Sequence, residues 1–172
     1  MKRLIILLAI VGIFSSVSVY SQLYINEYSA SNLNQFTDDY GKYEDWVELY
    51  NAGSTPVSLA GYYLSDDSTN VTKWPFPSGS IAAGGFARIW LSGRNSTSGT
   101  HYHSSFKLKQ TKNNGEQLVL SDPAGTIIDN VHIMKTMLGH SRGRMFNGFA
   151  FWTIFSSPTI NASNNTSTPY MG

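Results

Sequence analysis

Cysteine is missing from all 172 residues. No disulfide can hold this chain together, so a small cross-linked scaffold is excluded and stability has to come from an apolar core. Charged residues are sparse, at 13%, and no block of Lys and Arg occurs, which argues against a nucleic-acid partner gripped through its phosphates. Helical patterning of useful length is absent as well. The single long apolar run, LIILLAIVGIF from Leu4 to Phe14, falls short of the roughly 20 residues that a membrane-spanning helix needs.

That run follows Met1-Lys2-Arg3 and precedes the small and polar SSVSVYSQ, which is the layout of a secretory signal peptide over residues 1–21. Cleavage is expected before Gln22, with Val19 and Ser21 as the small residues ahead of the bond. A cut after Ser18 and an uncleaved anchor are the alternatives. Without Lys2 and Arg3 the twelve basic residues become ten against eleven acids, so the mature chain is nearly neutral. Its 151 residues (172 less 21) suit one domain, which at this size buries roughly 68–70% of the unfolded surface. The expected location is secreted, extracellular or at the cell surface, with no stable membrane insertion after cleavage.

What the chain does contain is a series of short apolar or aromatic runs separated by Gly, Asn, Asp, Ser and Pro, the mark of an all-β sandwich or barrel. Strands are expected at 23–30, 45–51, 57–66, 72–76, 80–92, 103–108, 116–122 and 126–133, with turns at 51–56, 111–116 and 122–125. The DPAG turn at 122–125 should close a hairpin, because Pro presets φ and Gly accepts a positive one. Period two places Val47 and Leu49 on one face of DWVELYN and Trp46, Glu48 and Tyr50 on the other. In EQLVLSD, Leu118 and Leu120 should point into the core. From Ser156 onward the chain is polar and reads as linker.

Several motifs in order, INEYSASN (25–32), DWVELYN, VSLAGYYLSDD (57–67), KWPFP (73–77), IAAGGFARIW (81–90), GEQLVLSDPAGTIID (115–129) and a closing SRGR…G…W…F…PT, resemble the lamin tail domain of exported bacterial proteins. The resemblance runs from about Leu23 to Asn164, giving a domain at 22–164 and a polar tail or linker start at 165–172. It implies an immunoglobulin-like β-sandwich without catalytic residues, joined in many members to other domains such as spore-coat-protein-H-type kinases, nucleases or phosphoesterases. Two departures stand at the end. Phe146-Asn147-Gly148 replaces a Pro-Asp-Gly turn, and Pro158-Thr159-Ile160-Asn161 replaces Pro-Thr-Pro-Gly. Asn serves in both because it tolerates positive φ.

The acidic stretch DDYGKYED invites a chemical reading. Asp38, Asp39 and Asp45 are candidate Ca²⁺ ligands, although the order of oxygens is not that of a helix–loop–helix calcium site. The plainer account is that Asp38 and Asp39 cap a turn at Gly41 and Asp45 binds backbone amides at the strand start. Asp45 and Glu48, three apart on a strand, face opposite sides and cannot act as an acid/base pair. His101 and His103 share a strand face, half of a zinc site at most. Arg142 and Arg144 either clamp an anion or pair with nearby acids. Gly84-Gly85 should supply a link or bulge, not a phosphate loop. The sequons at Asn70, Asn95, Asn161, Asn164 and Asn165 mark surface loops.

The expected function is a non-catalytic binding, adhesion or positioning module with a protein or polysaccharide partner at the cell surface. Trp46, Glu48 and Tyr50 are the candidate ligand-binding residues, as an exposed aromatic stripe. No cofactor is expected beyond the Ca²⁺ candidate. A larger exported multidomain enzyme of which this is the leading piece, or a carbohydrate- or Ca²⁺-binding module, is the alternative. Oligomeric state is left open.

Overall fold

The computed structural model describes residues 22–110 and 115–171. The expected signal peptide and residues 111–114 of the expected turn lie outside them. Among the described residues the strands are β1 (Leu23–Ser29), β2 (Trp46–Asn51), β3 (Val57–Ser58), β4 (Tyr63–Ser65), β5 (Trp74–Pro75), β6 (Ser80–Ile81), β7 (Phe86–Trp90), β8 (Ser96–Ser98), β9 (His101–His103), β10 (Glu116–Ser121), β11 (Ile127–Ile133), β12 (Ser141–Arg144) and β13 (Trp152–Phe155). One 3₁₀ turn, Asn164–Thr166, is the only helical element among them.

A seven-stranded sheet, in the order β13-β12-β1-β2-β7-β9-β8, lies against a four-stranded one, β11-β10-β4-β5, with β3 and β6 forming a separate ribbon. The all-β sandwich expected from the sequence is what forms. Ile25, Tyr28, Val47, Leu49 and Ile89 from the first sheet meet Leu64, Trp74, Leu118, Leu120 and Ile133 from the second, all buried. Period two thus holds in β2 and β10. The β10–β11 hairpin closes through the expected DPAG turn: Gly125 takes φ +79, and the Asp122 carboxylate accepts the amides of Ala124 and Thr126.

Two long expected strands are broken. Residues 57–66 split into β3 and β4 because Gly61 turns at φ +89, and residues 80–92 split into β6 and β7 across a turn at Gly84, φ +66. Each half then serves a different sheet. The pairing of β9 with β7 is parallel, through Ile89↔Tyr102 and Trp90↔His103.

The stretch from Ser156, expected as linker, is instead a packed lid. Its polar composition misled because it buries polar atoms against acids rather than apolar atoms against a core. Thr159 donates its N–H (3.0 Å) and its hydroxyl to Glu27, and Asn161 donates its N–H to Glu48. Asn164 is fully buried; its amide reaches the Arg144 carbonyl at 2.8 Å and the Asn26 carbonyl at 3.3 Å, so its sequon marks no surface loop. Gly143 makes room for this. A Cβ there would fall 2.7 Å from the Phe155 ring and 2.9 Å from the Asn164 amide. Even the expected tail is attached as far as Tyr170, whose N–H donates to the Ile154 carbonyl at 2.8 Å. Asn161 adopts φ +58, the left-handed region that glycine serves in the resembled pattern.

Candidate functional site

The outer face of β1, β2 and β7 carries three successive rungs of side chains, fixed by register: Tyr24–Tyr50–Phe86, then Glu27–Glu48–Arg88, then Ser29–Trp46–Trp90. A bulge in β1 between Ile25 and Glu27 sets Asn26 beside the middle rung, where its amide donates to Glu48 at 3.4 Å. Bulges commonly re-aim side chains in this way.

Trp46, Glu48 and Tyr50 do share one face, yet they do not form an exposed stripe. Trp46 and Glu48 are each 0% exposed, and only Tyr50 reaches the surface, half-buried. Two covers account for this. Phe36, from the loop after β1, packs edge-on to Trp46 at 6.4 Å, and the lid described above lies over Glu27 and Glu48. Tyr50 remains open beside Phe86, ring centroids 5.1 Å apart.

Burial governs the middle rung. The Glu48 carboxyl is pushed up to about 8 by burial and then by the neighbouring Glu27, against the pull of the Asn161 amide, Asn26 and Arg88. Burial raises Glu27 too, opposed by bonds from Ser141 and Thr159. Both acids are held by neutral donors, so this is a proton-retaining pair. Arg88 stands beside Glu48 without joining it: among the described residues it enters no ion pair, and its Nε is buried with no hydrogen-bond partner. Its guanidinium stacks on Trp90, 4.4 Å from the ring centroid.

The expected calcium ligands part company. Asp38 and Asp39 meet His103, with one ligand atom of each within 4.8 Å of the others. Asp45 is elsewhere, accepting the Asn32 amide at 3.4 Å, its carboxyl raised to about 6 mainly by burial. Asp38 spends one oxygen on the amides of Tyr40 and Lys42 and the other on Arg94 at 2.7 Å, so it caps the turn at Gly41 as the plainer reading had it. A guanidinium at that distance supplies the positive charge that a cation would.

His103 links Ser92 and Asp39 in a line, Oγ to Nδ1 at 2.9 Å and Nε2 to Oδ1 at 2.6 Å. Burial alone would raise Asp39, but the His103 hydrogen bond and charge hold it below the usual carboxylate range. The order Ser–His–Asp suggests a nucleophile, and the surroundings refuse it. Ser92 is buried, its oxygen also takes the Arg94 amide, and the Gly93 amide goes to the Phe106 carbonyl, so the two donors that follow it are spent. Acyl transfer needs free donors at that place. The line pins the loop at 38–42 to the sheet. Sequence reasoning missed it because parallel β7–β9 pairing joins positions 92 and 103 with no local signal.

Arg144 takes the ion-pair role of the two readings offered for it. It holds Asp129 through Nη2 at 2.8 and 3.0 Å, and its Nε donates to the Ile25 carbonyl, tying β12 and β1 to β11. Beyond it the β12–β13 turn carries Phe146, Phe149 and Phe151, about half-exposed or more, anchored at Asn147, which accepts from the Asn26 amide and donates to Ser163 and Asn165. Arg88, Tyr24 and Asn161 were the residues overlooked. The alternation F-A-R-I-W already places Arg88 between Phe86 and Trp90 on one face, which is the signal that could have found it.

A family model described as Lamin Tail Domain matches residues 16–135. No curated protein matches the chain.

Proposed function

The chain belongs to the lamin tail domain family, and on that footing we propose that it is an exported, non-catalytic β-sandwich module that holds a polysaccharide at the cell surface. One observation carries this reading, the aromatic rung Tyr24–Tyr50–Phe86 at the open end of the sheet face. All three rings are half-buried, aligned across adjacent strands about 4.8 Å apart. The hydroxyls of Tyr24 and Tyr50 make no hydrogen bond with any described residue. Rings with an apolar face and an unspent polar tip suit a ligand that is itself apolar on its ring faces and hydroxylated at its rim. The backbone beneath them is hydrogen-bonded across three neighbouring strands, and the Gly148 turn abuts Tyr24 and Tyr50, so the rings are placed before a ligand arrives. Export rests on the leader-like residues 1–21, and the absence of turnover on acids and the serine–histidine line being committed to hydrogen bonds within the fold.

Affinity electrophoresis through gels containing a panel of soluble polysaccharides tests the reading. Retardation by at least one is expected, with loss on Tyr50→Ala or Phe86→Ala. Migration unaffected by every polysaccharide, or release of shortened product from any, would end it.

A further inference from the structure

Arg88 faces a cavity of about 100 Å³ whose walls include Ser80, Phe86, Thr100, Tyr102 and Asn161. The cavity exists because β9 joins β7 only from Ile89, leaving the edge at residues 86–88 without a strand beside it. Building on the polysaccharide reading above, we propose that this cavity receives the carboxylate of an acidic sugar unit, a uronate, with Arg88 as its charge partner.

Three observations converge. The first is an unspent cation. Arg94 and Arg144 are each paired with carboxylates at 2.7 and 2.8 Å, whereas Arg88 stacks on the Trp90 ring and, among the described residues, meets no carboxylate and has no partner for its buried Nε. The two acids that influence it do not neutralise it by contact: Asp39 is bound to His103, and Glu48 is held by Asn26 and Asn161 with its carboxyl raised by burial. A half-buried guanidinium is costly unless a partner arrives. Its planar fork matches a carboxylate with two parallel bonds.

The second is the lining. Ser80, Thr100 and Asn161 bring two hydroxyls and an amide, and Phe86 and Tyr102 bring ring surface. One charge with several neutral hydrogen-bonding groups describes a singly charged, hydroxyl-rich ligand.

The third is continuity. Phe86 is both a wall of the cavity and the last member of the aromatic rung, so neutral units stacked on Tyr24 and Tyr50 lead to it. Asn161, in its left-handed conformation, is fixed by its N–H bond to Glu48, which places the far wall. Backbone held in that region by its surroundings is often found where a ligand is clamped.

The experiment uses the full chain with a galacturonic-acid oligomer, a galactose oligomer of equal length, and a glutamate-rich peptide, followed by calorimetry and by tryptophan fluorescence, since Trp90 lies under Arg88. The acidic oligomer should bind at least about tenfold more tightly than the neutral one and lose that advantage at high salt. Arg88→Met should abolish the preference while leaving the neutral oligomer's affinity unchanged, and Arg88→Lys should restore part of it. Should Arg88→Met fail to fold, the salt dependence of the unmodified chain provides the same reading, and an advantage for the acidic oligomer that high salt leaves unchanged overturns the inference. Equal binding of the two oligomers, or an Arg88→Met variant that keeps the preference, overturns this inference and leaves the polysaccharide reading intact. A preference for the peptide overturns it in favour of a protein ligand. Binding of neither oligomer overturns this inference, while the polysaccharide reading stands or falls with the gel panel.

Discussion

Two acidic stations lie under the same sheet face and are built on opposite principles. At the Asp38–Asp39 station each carboxylate has a basic partner, Arg94 for one and His103 for the other. At the Glu27–Glu48 station the donors are neutral: backbone amides, two hydroxyls and an asparagine. Asp39 is held below the usual carboxylate range by its basic partner, whereas burial raises both glutamates. A nearly neutral chain can therefore bury Asp38, Glu27 and Glu48 by two routes, a counter-charge for the first and neutral hydrogen-bond donors for the others.

The widest separation between charge-paired and proton-held acids comes from removing a counter-charge. Arg144→Met leaves the half-buried Asp129 without its counter-charge and frees two carbonyls. It should cost about 3–5 kcal/mol, measured by urea unfolding, whereas a neutral-donor loss at the glutamate pair should cost less. Asn164→Ala removes a neutral donor from the lid beside that pair, the buried amide bonded to the Arg144 and Asn26 carbonyls, and should cost about 1–3 kcal/mol; an unchanged midpoint would mean that the lid is not bonded as described.

A third test uses pH. Glu48 has its folded value, about 8, above its ordinary value near 4.5. Its favourable contribution is therefore complete below about pH 4.5 and is lost as pH rises through 8. Asp39 is depressed, so its contribution is present above the ordinary aspartate value and is lost as pH falls. Thermal unfolding should show stability declining between pH 5 and 9 by on the order of 2–4 kcal/mol. Glu48→Gln should flatten that decline, at the expense of one accepted hydrogen bond. A decline as steep as in the unmodified chain would remove Glu48 as its source. The smallest effect belongs to Asp39→Asn, which keeps an acceptor for His103 and should cost about 1 kcal/mol or less.

Much of this architecture can be read from the residues. Alternation in DWVELYN and EQLVLSD predicts which side chains enter the core, because a period-two signal survives wherever one face is apolar. The turn chemistry at Asp122–Gly125 likewise depends only on four neighbours. The outer face was less legible. Alternation says that Trp46 and Glu48 share a side, but not that Phe36 and the lid cover it, since those covers arrive from positions ten and more than a hundred residues away. The lid itself carries no apolar signal. Its attachment is made of hydrogen bonds to buried acids, and a run of Ser, Thr and Asn looks the same whether its partners are water or carboxylates. Asp38 and Asp39 were recognisable as turn and loop acids, yet Arg94 and His103 come to them only through the parallel β7–β9 crossing.

The hairpin of β12 and β13 has a bearing on how the molecule comes into being. β1, near the start of the described chain, finds its second neighbour more than a hundred residues later, with Glu27 opposite Gly143. Until that late hairpin arrives, β1 presents a row of bare amides and carbonyls, an open template for pairing with other chains. Pairings between such remote positions also form slowly. The polypeptide is thus most prone to clumping before β12 and β13 have been made, and holding it unfolded until that hairpin is available would suit it better than folding piecemeal from the ribosome.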